Sequence, residues 1–395
     1  MHIREENKVN GENVDTQPLQ VLVVDDSALM RNLVSRMIDA EPDMEVIAKA
    51  MNGRFALTKL ETMKPDVIVL DLEMPELNGV GFLKERRRLN MDIPVIVLSA
   101  VAQKGASITM EALSLGAVDF IPKPSGQDPE EIRTIGSHLV DLVRSFGARY
   151  RYEQKGRPPG AKGPGSSPRP VQSSRAETPG GSADLSRGPS RQRERKNKPG
   201  PLELVSIGIS TGGPNALRQV FSKLDPSIKT PFLVVQHMPA GFTTEFAKSL
   251  DRICPLEVKE AQEGDIIKPG RILIAPGDFH IRLERKSLAV ILHLDSGDPV
   301  SGHRPSADVL FESVASVYGN RGLGIIMTGM GKDGADKIGD IWEAGGITLG
   351  QDQGSSVVYG MPRVAAEYGY LTEQVNLDGM STRINQLVKE LASGS

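Results

Sequence analysis

The chain has 395 residues, enough for two or three domains that each bury a core, and its formal net charge of −3 demands neither nucleic acid nor a membrane surface as partner. A single cysteine, Cys254, excludes an internal disulfide and an all-cysteine metal site, in keeping with a reducing compartment. Met1 to Gln20 lacks the apolar core of a signal peptide and no later run is long enough to span a bilayer, so a cytoplasmic protein with no membrane insertion is expected.

Residues 1–18 read as a disordered tail. From 19 to 148 short apolar runs alternate with helical patterns, the signal of a parallel sheet with crossover helices. Expected strands are Val21–Val24, Glu45–Ala48, Val67–Leu70, Val95–Leu98 and Ala117–Ile121. Helices are expected near Ala28–Asp39, Arg54–Met63, Val80–Leu89 and Ser107–Leu115, and a fifth carries Ile132, Ile135, Leu139, Leu142 and Phe146 at spacings of three and four. The fold class is α/β, here a flavodoxin-like five-stranded parallel sheet, in which ligands sit beyond the carboxyl ends of the strands.

Asp25 and Asp26 close the first strand, Asp71 the third and Ser99 the fourth, and Lys123 follows the fifth. Taken singly these are ordinary: a helix cap, a turn residue, a surface lysine. As a set at one sheet edge they are not, because three adjacent carboxylates repel each other unless a cation joins them. Oxygen ligands with room for water and a phosphate describe a Mg²⁺ site at Asp25, Asp26 and Asp71. Asp71, central in the sheet, is then the nucleophile toward a phosphoryl donor, with Ser99 and Lys123 on the phosphoryl oxygens.

The stretches Val-Val-Asp-Asp-Ser (23–27), Asp-Val-Ile-Val-Leu-Asp-Leu-Glu-Met-Pro (66–75), Asn78-Gly79 and Asp119-Phe120-Ile121-Pro122-Lys123-Pro124 resemble the receiver domain of bacterial response regulators. The resemblance implies Asp71 as the phosphorylation site, Asp25 and Asp26 as metal carboxylates, Ser99 and Lys123 as switch and phosphate contacts, and Phe120 at the family's mobile aromatic position. It also implies a cis Lys123–Pro124 bond.

Residues 149–201 read as a flexible, basic, Pro/Gly/Ser-rich linker. Between 151 and 200 there are 8 Pro, 8 Gly and 7 Ser, with 12 Lys/Arg against 4 Asp/Glu. So few large apolar side chains cannot repay the entropy of ordering. As a coil its ends lie about 40 Å apart. The basic run lacks interleaved aromatics, so it reads as a solvated tether between acidic domains and not as a nucleic-acid site.

Strand and helix signals alternate again from 202 to 395, a second α/β domain with a doubly wound, mainly parallel sheet. An apolar run from Leu202 leads into Ser206-Ile207-Gly208-Ile209-Ser210-Thr211-Gly212-Gly213-Pro214, and a helical pattern leads out. A serine on a Gly-flanked strand-to-helix turn is placed for nucleophilic attack, although such turns more often bind phosphate or merely turn. The strand Phe232–Val235 runs into Gln236-His237-Met238-Pro239, and Leu323–Met327 into Thr328-Gly329-Met330-Gly331-Lys332-Asp333-Gly334. Between them, 256–294 reads as a β-rich excursion. Three strand ends thus carry Ser210, His237 and Asp333 on one rim. His237 would take the serine proton, Asp333 would orient the imidazole, and the backbone N–H groups of Thr211 and Met330 would face the oxyanion. Of the other histidines, His280 and His293 fall in the β-rich piece, and His303 in His303-Arg304-Pro305-Ser306 could line a cleft.

These motifs, with Ala275-Pro276-Gly277-Asp278, resemble the chemotaxis protein-glutamate methylesterase/glutaminase family, CheB, through both domains and in the family's order. Ile209 stands where the motif often has Ala, and the linker is long for the family. The resemblance implies the triad Ser210, His237 and Asp333, methyl-accepting chemoreceptors as substrate and the chemotaxis histidine kinase as phosphodonor. It implies a monomer with an intramolecular receiver–catalytic domain contact, and no cofactor for the hydrolysis. The expected function is a phosphorylation-activated serine hydrolase that cleaves glutamate γ-methyl esters and deamidates glutamines. The alternative is a non-catalytic response regulator that acts as a phosphorylation-controlled scaffold.

Overall fold

Apolar strands that are buried on both faces organise each half of the chain. The computed structural model describes residues 17–100, 103–124, 128–154 and 195–391. The expected opening tail and most of the expected linker lie outside the described residues.

In the first half β1 (Leu19–Val24), α1 (Ala28–Asp39), β2 (Met44–Ala50), α2 (Gly53–Leu60), β3 (Val67–Asp71), α3 (Gly79–Arg88), β4 (Val95–Ser99), α4 (Gln103–Ser114), β5 (Asp119–Pro122) and α5 (Pro129–Gln154) follow in strict alternation. The sheet order is β2-β1-β3-β4-β5, all parallel. Ser27, Asn52 and Asn78 cap α1, α2 and α3 with their side-chain oxygens, so each helix starts just past a strand end. Helix α5 runs beyond the expected domain end at 148. Buried Val143, Phe146 and Gly147 carry its apolar face onward. Arg151, paired with Asp66 and donating to the carbonyls of Gln17 and Pro18, anchors its last turn.

The second half contains β6 (Leu204–Ile209), α6 (Gly213–Phe221), β7 (Phe232–Gln236), α7 (Phe242–Asp251), β8 (Glu257–Glu260), β9 (Arg271–Ile274), β10 (His280–Arg285), β11 (Val290–Asp295), α8 (Ala307–Tyr318), β12 (Gly322–Ile326), α9 (Ile338–Glu343), β13 (Ile347–Gln351), α10 (Met361–Glu367), β14 (Glu373–Val375) and α11 (Leu377–Glu390). Its seven-stranded parallel sheet has the order β14-β13-β12-β6-β7-β9-β8. The β-rich excursion divides: β8 and β9 extend the main sheet, and only β10 and β11 form a separate antiparallel hairpin. Residues before β6 also pack on this half, with the Arg195 guanidinium 5.5 Å from the Trp342 ring centroid and donating to Gly346 O at 2.8 Å.

The two halves meet along β5, α4 and α5 of the first and α6 and α7 of the second. The Phe120 and Phe242 rings pack at 4.7 Å. Asn215 Nδ2 donates to Ala117 O at 2.9 Å, and Arg149 donates to Ser356 O at 3.0 Å. Gly212 N donates to Asp119 Oδ2 at 2.9 Å. Among the described residues the cis peptide bond is Arg304–Pro305, so Lys123–Pro124 departs from the family expectation. The two isomers of such a bond differ by about 0.5–1 kcal/mol, and local sequence does not decide between them.

Candidate active site and phosphoacceptor cluster

Strands β12, β6 and β7 are neighbours in the sheet, which brings the residues after them to one rim. Ser210 N donates to Thr328 O at 3.0 Å and His237 N to Ile209 O at 3.1 Å, so the three turns are stitched by backbone bonds. Gly329 is packed so closely that a Cβ there would lie 2.8 Å from Ser210 Cβ and 2.3 Å from Met361 Sδ. Gly212, with φ of 75°, allows the chain to turn sharply into α6 directly after Ser210-Thr211.

Asp333 and His237 meet. His237 Nε2 lies 2.7 Å from Asp333 Oδ2, and Asp333 is 1 % exposed. The carboxylate can only accept, so Nε2 carries the proton and Nδ1 is the basic nitrogen. Nδ1 is buried and has no hydrogen-bond partner among the described residues. The first turn of α8 also feeds Asp333: Ser306 Oγ donates to Oδ1 at 2.6 Å, Ala307 N to Oδ2 at 2.6 Å and Asp308 N to Oδ1 at 3.2 Å. Burial works to raise the Asp333 pKa, but the bonds from His237, Ser306 and Ala307 outweigh it and hold the carboxyl below its usual range. The neighbouring Asp308 is pushed up to about 6 by burial and by Asp333.

Ser210 lies on the same rim, but no hydrogen bond joins its Oγ to His237 among the described residues. Catalytic bonds are often long before substrate binds. The N–H groups of Thr211 and Met330 likewise have no acceptor among the described residues, as oxyanion donors require.

Two histidines and a serine that the sequence left in the background support this pair. His303 stacks on His237 with ring centroids 3.8 Å apart and 13° between planes. Burial, and then the neighbouring His237, lower its pKa to about 4, so it stays neutral beside the base. His237, His303 and Asp333 offer ligand atoms within 4.8 Å of one another. Stacked rings point their lone pairs side by side and not at a shared point, which is poor geometry for a metal ion. His280 accepts from Ser306 N at 3.1 Å through Nδ1 and so braces the residue that donates to Asp333. His293 is remote, paired with Glu263 and Glu284.

In the first half Asp25, Asp26 and Asp71 offer oxygens within 4.8 Å of one another. Lys123 Nζ lies 3.2 Å from Asp25 Oδ2 and 2.7 Å from Asp71 Oδ2. Burial raises the pKa of both carboxyls, and Lys123 offsets this only in part. Burial also opposes the Lys123 charge, but its pairing with Asp71 and Asp25 dominates and raises its pKa. Asp25 Oδ1 and Asp71 Oδ1 accept from Ser27 N and Glu73 N, whereas the two Oδ2 atoms face only the Lys123 ammonium, and such carboxylate oxygens fit a hard divalent cation such as Mg²⁺. A cleft of about 70 Å³ opens beside Asp71 between Ser99 and Lys123. Ser99 Oγ itself bonds to Thr109 Oγ1 at 2.5 Å and to Gly105 O at 3.4 Å, facing α4 and not Asp71. Phe120 is buried against Phe242 at the contact between the halves.

A family model described as CheB methylesterase matches residues 205–384, and one described as response regulator receiver domain matches residues 21–135. The chain is 53% identical over 376 residues to a Treponema denticola protein-glutamate methylesterase/protein-glutamine glutaminase, covering 95% of this chain and 100% of that one. It is 47% identical over 410 residues to the Treponema pallidum protein of the same name, covering 96% and 99%. A Koribacter versatilis protein-glutamate methylesterase/protein-glutamine glutaminase 2 is 43% identical over 365 residues, covering 92% and 95%.

Proposed function

The chain belongs to the CheB family of receiver-linked protein-glutamate methylesterases/protein-glutamine glutaminases, and from that premise we propose that it hydrolyses glutamate γ-methyl esters of chemoreceptors through Ser210, His237 and Asp333. The observation that carries this reading is the buried His237–Asp333 pair at 2.7 Å, on the rim shared with the Ser210 turn. Ser210 Oγ attacks the ester carbonyl while His237 Nδ1 takes its proton. The oxyanion develops between the N–H groups of Thr211 and Met330. His237 returns the proton to the departing methoxide, methanol leaves, and water resolves the acyl-enzyme by the same relay. Glutamine side chains follow the same path with ammonia as the leaving group. The stacked, neutral His303 leaves the imidazolium free of like-charge repulsion.

Asp25, Asp26 and Asp71 would hold Mg²⁺, which neutralises the phosphoryl oxygens during transfer to Asp71. A chemotaxis histidine kinase supplies the phosphoryl group, and Lys123 balances the charge of phospho-Asp71. In this arrangement the first domain reaches the Ser210 turn through Asp119, which accepts from Gly212 N, and packs beside it through Ala117 on Asn215 and Phe120 on Phe242. Phosphorylation activates by shifting the population away from this docked state. The working context is cytoplasmic, with a single copy of the chain as the active unit. Among the described residues no helix is long and apolar enough to cross a membrane. A non-catalytic scaffold leaves the His237–Asp333 pair without a purpose. Ser210→Ala is expected to abolish methanol release from methylated receptors while Asp71 is still phosphorylated; persistent release refutes the nucleophile.

A further inference from the structure

One buried polar side chain beside this site takes no part in the chemistry above. Gln236, the last residue of β7, is 2 % exposed and stands opposite Ile209 in the pairing of β6 with β7. Its Nε2 donates to Ser210 O at 3.1 Å and to His237 O at 3.1 Å. Two carbonyls at that distance fix which end of the amide is nitrogen. Its Oε1 is buried with no hydrogen-bond partner among the described residues. That oxygen lies where a Cβ on Gly213 would come within 2.0 Å, so the glycine leaves room for this side chain alone.

Burying an amide with an unmet acceptor is costly, a penalty that leucine or methionine would avoid in the same space. Satisfying the Ser210 carbonyl does not explain it, because Gly213 N already donates there at 2.7 Å. The second bond fixes direction instead. The Ser210 carbonyl and the Thr211 N–H belong to one planar trans peptide and point opposite ways. Holding the carbonyl between Gly213 and Gln236 aims the Thr211 N–H outward into the cleft. The same amide holds the backbone that carries the base.

We propose that Gln236 is a positioning residue for the hydrolysis: its side-chain amide locks the Ser210–Thr211 peptide so that the Thr211 N–H faces the oxyanion, and ties that peptide to the His237 backbone. The inference rests on Ser210 as nucleophile. A misplacement of about 1 Å at such a site costs about a hundredfold in rate, and the loss falls on the transition state and not on receptor binding.

The test uses the full chain, acetyl phosphate as phosphodonor and receptor membranes carrying labelled methyl esters. Gln236→Met keeps the volume and removes both donors. It is expected to lower kcat about a hundredfold with KM within twofold and Asp71 phosphorylation intact. Gln236→Glu restores a donor only when protonated, so its kcat relative to the native chain at the same pH is expected to climb at least tenfold from pH 8 to pH 6. If Gln236→Met does not fold, the Gln236→Glu ratio decides. A kcat for Gln236→Met within threefold of native, or a flat Gln236→Glu ratio, overturns the proposal. Ser210→Ala run alongside separates the two failures: release that survives Ser210→Ala removes the nucleophile itself, whereas an inactive Ser210→Ala with an active Gln236→Met removes only the role of Gln236.

Discussion

Asp119→Asn tests the contact between the domains with a sign that simple bond counting gets wrong. Asp119 is 7 % exposed, and its carboxylate accepts from Gly212 N and Phe120 N. Burial pushes its pKa up from 3.8 to about 6, and the two backbone bonds recover only part of the loss. At 1.36 kcal/mol per pH unit, that rise places a ceiling of about 3 kcal/mol on what the ionised group costs the docked state. The ceiling is not fully reached, because the receiver's own sheet contributes some of the burial. The docked state therefore holds a proton that the released state gives up between about pH 6 and 3.8. Docking strengthens as pH falls through that window and carries the whole cost above it. Asparagine keeps an acceptor for Gly212 N without the charge. At pH 7.5 Asp119→Asn is expected to deepen docking, by up to about a hundredfold in equilibrium at that ceiling, and to lower the methanol release of the unphosphorylated protein. The assay is the ratio of phosphorylated to unphosphorylated activity at each pH. Native protein should show a ratio that rises from pH 7.5 to 5.5, and Asp119→Asn a larger, pH-independent one. Higher basal activity in Asp119→Asn, or a native ratio that does not change with pH, refutes the argument.

Ser306→Ala removes a donor to Asp333 and the cap of α8 together. A hydrogen bond to a charged group is worth about 1.5–3 kcal/mol, so kcat for methanol release should fall at least tenfold, with a thermal unfolding midpoint a few degrees lower. Asp71→Asn should lose activation by acetyl phosphate and retain basal methanol release. Because burial raises the Asp71 pKa, its ionised form is a burden on the receiver at neutral pH, and the same variant should unfold at a higher temperature than native. Chelating Mg²⁺ with EDTA should block labelling of Asp71 by a phosphodonor and leave basal hydrolysis unchanged; loss of both would place a metal in the hydrolase site.

The order of elements was legible because the central strands are apolar runs, as in Val67–Leu70 and Phe232–Val235, with functional groups just past them. Asp71 after Val67–Leu70 and His237 after Phe232–Val235 are found by that rule alone. Asp333 was legible for the glycines around it. Gln236, Asp119 and His280 escaped because their meaning lies in what they touch across the fold. Asp119 meets Gly212 from 93 residues away, and His280 meets Ser306 from 26. No local pattern of residue types marks such a partner. The same reason explains β9: a short strand announces its existence, and pairing decides which sheet receives it.

Strand β5 has Asp119 at one end and leads directly into Lys123 at the other. At about 3.3 Å per residue those two positions are about 13 Å apart along one extended segment. One end pairs with Asp71, the proposed phosphoacceptor, and the other holds a 2.9 Å bond to the turn beside Ser210. Strand β5 is paired to β4 over its whole length, so its two ends are held in fixed relation. The ammonium that faces Asp71 and the carboxylate that holds the Gly212 N–H thus share one short bonded segment.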